Sequence, residues 1–157
     1  MNADEIARGL SPFQPETVSV QAGRLMLARL QELLAAGETF ALETTLATRH
    51  YLAFISKAQA QGYTVHLFFF WLSTPEAAVQ RVRIRVREGG HNIPEDVIRR
   101  RYALGLRYFF SLYKPVVNKW EFIDNSAGKP HRVAHGTINT TTVEDSVIWQ
   151  SISSTYS

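Results

Sequence analysis

The sequence predicts an α/β fold with helices on both faces of a mostly parallel sheet. Segments of helical spacing alternate with short β-prone runs from Ala22 to Ser126. Glycines punctuate the junctions. The run HLFFFWL is apolar at successive positions, the pattern of a strand covered on both sides. With 157 residues, 45% hydrophobic and 20% charged, the chain has the material for one core. It reads as a single domain over residues 1–157.

The elements follow in order. Asp4 and Glu5 lie at the frayed start, where a solvated role is the first reading. Ala22 to Ala36 places Leu25, Leu27, Leu30, Leu33 and Leu34 near helical spacing, and Gly37 supplies the stop. TFALETT reads as a strand ending at Glu43 to Thr45. TRHYLAFISKAQAQG is helical through Leu52, Ile55 and Ala58 and ends at Gly62. YTVHLFFFWL then reads as a central parallel strand. Thr74 caps a helix that opens on Pro75 and stops at Gly89 and Gly90. After HNIP, a further helix carries Tyr102, Leu106, Phe109 and Leu112 on one face. KWEFIDNS is a strand with a polar loop. A strand near Arg132 to Ala134 and a helix from about Val143 are expected beyond it, the latter in a tail over residues 139–157.

Composition excludes several classes. The chain has no cysteine, which removes disulfides and thiolate chemistry. Its longest apolar run is far below the roughly 18 residues of a membrane span, and no signal-peptide pattern opens it. A cytoplasmic protein without membrane or nucleic-acid partners is expected; the net charge of +3 is too small to argue for DNA. The histidines show no metal-ligand spacing, so no metal site of protein ligands is expected.

In an α/β sheet, ligands bind beyond the carboxyl ends of the strands. Glu43, Thr44 and Thr45 occupy one such end, where a carboxylate and two hydroxyls would suit a polyol or would cap the next helix. Asp124, Asn125 and Ser126 occupy another. Arg81, Arg83, Arg85 and Arg87, then Arg99, Arg100, Arg101 and Arg107, flank a Gly-Gly-His-Asn-Ile-Pro turn. Residues 81–107 therefore read either as a solvated basic face or as a mobile phosphate-binding lid, with His91 beside its hinge.

The stretches NADEIARGLSP, AGRLMLARLQELLAAGETFALETTLATR, REGGHNIPEDVIRRRY and FIDNS occur in that order. Together they resemble the zeta-toxin-like family of P-loop kinases, particularly its chromosomal stand-alone members. The resemblance implies a three-layer P-loop kinase-like fold and phosphoryl transfer from ATP, with Mg²⁺, to a hydroxyl of a small acceptor, in the toxins the amino sugar of UDP-N-acetylglucosamine. By the same resemblance Asp4 is the general base or hydroxyl-orienting group. Asn2, Glu43, Thr44, Thr45 and Arg49 bind the acceptor, Arg87, Arg99 and Arg107 neutralise the transferring phosphate, and Asp124, Asn125 and Ser126 lie near the adenine. An antitoxin partner is implied as well.

One departure from the family pattern is large. No GxxxxGK[ST] loop occurs in the 157 residues, and the family's first two strands have no counterpart. Hydrogen bonds to charged groups contribute about 1.5–3 kcal/mol each, so a truncated chain without that loop is expected to be catalytically impaired. The gap in the sheet is expected to be closed by direct pairing of TFALE with HLFFFWL, by another segment, or by a second chain. The alternative reading is a non-enzymatic interaction or phosphate-ligand-binding protein, dimeric through the vacant sheet edge.

Overall fold

A computed structural model describes every residue except His91 and Ser157. His91, the histidine beside the expected hinge, thus lies outside the described residues. The chain forms two compact units, residues 1–44 with 89–91, and residues 45–88 with 92–157.

The first unit is helical. Helix α1 (Ala3–Leu10) is followed by a 3-10 turn (Pro15–Val18) and helix α2 (Ser19–Ala35). Ala7 of α1 and Ala22, Met26, Leu30 and Leu34 of α2 are buried. The regular spacing of four residues along α2 makes one apolar stripe, which is why this segment is a helix and which face it hides. At its end Gly37 adopts φ +72, and the amides of Gly37 and Glu38 donate back to the carbonyls of Leu34 and Leu33. A left-handed residue at this position closes the last turn most readily when it is glycine. The strand expected at TFALETT does not form. Two bonds bracket Met1 in strand-like fashion: the Met1 amino group donates to the Ala41 carbonyl, and the Glu43 amide donates to the Met1 carbonyl. None of the four strands of the sheet pairs with this segment among the described residues, so β propensity alone does not make a strand of it.

The second unit holds the sheet and the main core. Helix α3 (His50–Ala60) leads to strand β1 (His66–Trp71), helices α4 (Pro75–Arg87) and α5 (Glu95–Tyr108), and a π-helical turn (Phe109–Tyr113). Strands β2 (Lys119–Asp124), β3 (His131–Thr137) and β4 (Thr141–Val143) and helix α6 (Ser146–Tyr156) complete it. The strand order is β1-β2-β3-β4. β1 and β2 are parallel, whereas β2 with β3 and β3 with β4 are antiparallel. The sheet is therefore mixed, not mostly parallel. The loop from Asn125 to Pro130 is too short for the crossover that a parallel partner would need, so β3 turns back on β2.

Strand β1 is likewise an edge strand, not a central one. Leu67, Phe69 and Trp71 pack on the core, while His66, Phe68 and Phe70 point to the other face and are exposed, Phe68 at 50% and Phe70 at 58%. A continuous aromatic run satisfies both the buried-strand and the half-exposed-strand pattern, so sequence periodicity could not separate them.

The core forms on one face of the sheet. Trp120 and Phe122 of β2 meet Leu106, Phe109, Phe110 and Tyr113 from α5 and its π turn, together with Trp149 and Ile152 of α6. Trp120 and Trp149 stack with centroids 5.6 Å apart, and Phe109 meets Trp120 edge-on at 5.9 Å. Each such side chain contributes about 1.5–3 kcal/mol on burial. The end of the chain is thus part of the core. Its helix starts at Ser146, three residues later than the sequence pattern placed it, because Asp145 is the cap: its Oδ1 accepts from the Ile148 amide at 3.0 Å.

Candidate functional site

In the first unit the short α1 organises three candidate residues. Asn2 is its N-cap, with extended backbone (φ −138, ψ 123), and its Oδ1 accepts from the Asp4 amide at 2.8 Å. The other end of the same amide, Nδ2, donates to Glu43 Oε2 at 2.8 Å. One side chain thereby starts the helix and orients a carboxylate forty-one residues away in sequence. Asp4 and Glu5 sit in the first turn, where the positive end of the helix favours anionic groups. Asp4, Glu43 and Thr44 are exposed. Three of the expected acceptor-side residues, Asn2, Asp4 and Glu43, are thus joined by one hydrogen-bonded arrangement.

In the second unit the segment from Thr45 to Arg49 is fixed by its backbone. A Cβ on Gly105 of α5 would lie 2.7 Å from the Thr45 carbonyl oxygen, so only glycine lets the segment approach this helix so closely. Leu46 adopts φ +59 and is nonetheless buried. A non-glycine residue in the left-handed region persists only where its surroundings hold it. Tyr113 supplies part of that hold: its hydroxyl donates to the Thr48 carbonyl, and burial pushes its pKa up to about 12, which keeps the donor protonated. Arg49 places its guanidinium 5.5 Å from the centre of the Tyr108 ring. Thr45 is exposed and Thr48 Oγ1 accepts from the His50 amide at the start of α3.

The arginines of α4 and α5 divide into two sets. Arg99 is held by two carboxylates, Glu76 at 2.5 Å and Glu95 at 2.8 Å, and Arg83 reaches Glu95 at 3.2 Å. Hydrogen bonding to Arg99 lowers the pKa of both glutamates, and their hydrogen bonds raise that of Arg99. This network ties α4 to α5. Arg83 and Glu95 also line a cleft of about 220 Å³ with Val79, Val82, Ile93 and Ile98. Arg87 and Arg107, at the last turns of the two helices, are exposed and make no ion pair among the described residues.

Asp124, Asn125 and Ser126 close the junction after β2. Asp124 Oδ1 accepts from the Ser126 amide at 2.8 Å and from its hydroxyl at 2.5 Å, and Ser126 Oγ accepts from the Ser73 amide at 2.8 Å. Arg81 donates to the Asn125 carbonyl at 2.9 Å. The loop is therefore cross-braced to the start of α4. No group of three ligating side chains among the described residues suits a metal ion. A magnesium ion would thus fit here only as Mg²⁺ usually binds, carried largely on phosphate oxygens and water.

Sequence reasoning missed Arg81, Gly105 and Tyr113 as positioning groups. A signal existed for Gly105, since a glycine inside a helix costs about 1 kcal/mol relative to alanine and usually has a packing reason.

Helices with a mixed four-stranded sheet of this kind are consistent with a P-loop kinase-like fold. The zeta toxin family model matches residues 3–109, and the chain belongs to that family. Over 102 residues it is 28% identical to an uncharacterized protein of Haemophilus influenzae, covering 65% of this chain and 73% of that protein. No solved structure matches it. No helix among the described residues is long and apolar enough to cross a membrane.

Proposed function

We propose that this chain carries the acceptor side and the basic helices of a small-molecule kinase that transfers phosphate from ATP, with Mg²⁺, to a hydroxyl of a UDP-amino sugar. The observation that carries the reading is the single Asn2 amide that both seats Asp4 at a helix start and holds the Glu43 carboxylate at 2.8 Å. In this reading Asp4 orients the acceptor hydroxyl and takes its proton. Glu43, Thr44, Thr45 and Arg49 hold the acceptor, and Arg87 and Arg107 offer uncommitted cations to the phosphates. Arg99 joins them when it leaves Glu76 and Glu95. The Asp124–Ser126 loop borders the adenine. A cytoplasmic setting and an antitoxin partner belong to the same reading.

The 157 residues contain no glycine-rich loop ending in Gly-Lys-Ser or Gly-Lys-Thr, so transfer by this chain alone is expected to be slow or absent while acceptor binding persists. Titration of UDP-N-acetylglucosamine and of Mg-ATP into the purified chain tests both halves. The expected outcome is acceptor binding that Glu43→Gln and Asn2→Ala weaken at least tenfold, with no measurable ATP turnover. Absence of acceptor binding overturns the substrate assignment. ATP turnover that disappears in Asp4→Asn overturns the impairment and establishes an active kinase. A second reading, a non-enzymatic phosphate-ligand-binding or interaction protein, is favoured by the exposed Arg87 and Arg107, which make no ion pair among the described residues, and equal binding of inorganic triphosphate and ATP with no acceptor binding would select it.

A further inference from the structure

The arginines of α5 share one helix but not one flank. Each residue is turned about 100° from the one before it, so Arg99, Arg100, Arg101 and Arg107 are distributed around the axis. Contacts identify two of the flanks. Arg99 reaches Glu76 at the start of α4, so its flank faces α4. Gly105 lies against the Thr45 carbonyl, and the Tyr108 ring lies against the Arg49 guanidinium, so their flank faces residues 45–49. Arg101 precedes Gly105 by four residues and Tyr108 by seven, separations that return a helix to the same side. It therefore belongs to the flank of residues 45–49. Arg100 and Arg107 fall on the outer side, opposite the buried Ile98, Leu106 and Phe109.

Height along the helix separates the arginines again. The Tyr102 hydroxyl donates to the carbonyl of Leu72, the residue just after β1, at 2.8 Å. Arg101, its neighbour, thus stands at the carboxyl end of the parallel pair β1 and β2, where α/β sheets bind ligands. Phe109 instead meets Phe69 and Phe122 in mid-strand, and Arg107 beside it is about 9 Å along the helix from Arg101. Arg101 is also uncommitted. It is exposed and makes no hydrogen bond or ion pair among the described residues. No carboxylate of α5 shares its flank: Glu95 is engaged by Arg83 and Arg99, and Asp96 lies more than a turn before it on another side. The exposed Thr45 adds a hydroxyl to this flank.

We propose that Arg101, with Thr45 beside it, binds a phosphate group of a nucleotide at the carboxyl end of β1. Resemblance to the family did not single this residue out. A free guanidinium offers a planar fork of donors that matches phosphate oxygens, and of the arginines on α5 Arg101 alone combines that freedom with a place at the ligand end of the sheet and a hydroxyl on its flank. The inference rests on the geometry of α5 and stands apart from the kinase reading. A nucleoside triphosphate and a nucleotide sugar both carry the group, and separate titrations distinguish them.

Inorganic triphosphate titrated into the wild-type chain by calorimetry is expected to bind. Its affinity should fall roughly tenfold in Arg101→Ala, the size of one hydrogen bond to a charged group, and less in Arg101→Lys, which keeps the charge without the fork. Arg100→Ala removes the same charge from the outer side and should leave the affinity unchanged. Mg-ATP and UDP-N-acetylglucosamine titrated into the same variants identify the source: the ligand that Arg101→Ala weakens and Arg100→Ala does not is the one whose phosphate sits there. Phenylglyoxal labelling of the wild-type chain, read by mass spectrometry, decides the matter even if the variants fail to fold, because triphosphate should protect Arg101 and leave Arg100 reactive. No triphosphate binding, equal losses in the two alanine variants, or an unprotected Arg101 overturns the proposal. Triphosphate binding through Arg101 without binding of either nucleotide keeps this site and removes the kinase reading; acceptor binding alongside a triphosphate affinity indifferent to Arg101 does the reverse.

Discussion

Tyr113 shows how much one side chain decides. Its ring is buried in the core and its hydroxyl anchors the Thr48 carbonyl in the segment that carries Thr45 and Arg49. Tyr113→Phe leaves that carbonyl without its donor, and an unsatisfied buried polar group costs about 1–3 kcal/mol. Urea unfolding followed by tryptophan fluorescence should show a loss of that size. The same residue fixes a pH dependence. Its folded pKa is raised from 10.0 to about 12 by burial, so the unfolded chain releases this proton first as pH rises. Stability from this group is complete below pH 10, falls between 10 and about 12, and is gone above. The Phe variant should lose that part of the alkaline slope.

Among the elements, α4 and α5 carry the clearest expectation. Glu76, Glu95, Arg83 and Arg99 tie them together at the surface, where salt screens ion pairs. The pKa of each glutamate is lowered from 4.5, chiefly by hydrogen bonding to Arg99. Their contribution is therefore present above pH 4.5 and lost as pH falls through the lowered values. A Glu76→Gln, Glu95→Gln double variant should show a smaller acid slope than wild type and bind inorganic triphosphate more tightly, because Arg99 is released. Unchanged triphosphate affinity in calorimetry would separate Arg99 from phosphate binding. The start of α4 is legible in the residues themselves: Thr-Pro-Glu implies a capped helix, and Thr74 Oγ1 accepts from the Ala77 amide at 3.1 Å. α1 also carries a local signal, since Ala3, Ile6, Ala7 and Leu10 repeat at helical spacing behind the Asn2 cap, but its place at the chain start favours a solvated reading.

At the scale of the molecule, α6 closes the core of the second unit. Trp149 stacks on Trp120 and contacts Phe110 and Phe122. Trp149→Ala should cost about 3–5 kcal/mol and abolish the near-ultraviolet circular dichroism of the paired indoles. A loss below 1 kcal/mol would mean that α6 is peripheral. The sequence by itself determined the helices at Leu30, Ile55, Val79 and Leu106, the family, and the residue types at Asn2, Asp4, Glu43 and the arginines, because these rest on local spacing and ordered motifs. Only the tertiary structure decided that TFALE joins no ladder, that β1 is an edge, that Asn2 holds Glu43, and that Arg99 is already engaged by two carboxylates. Local patterns fix which face a segment would hide, whereas strand neighbours and ion-pair partners depend on residues distant in sequence that no local pattern encodes.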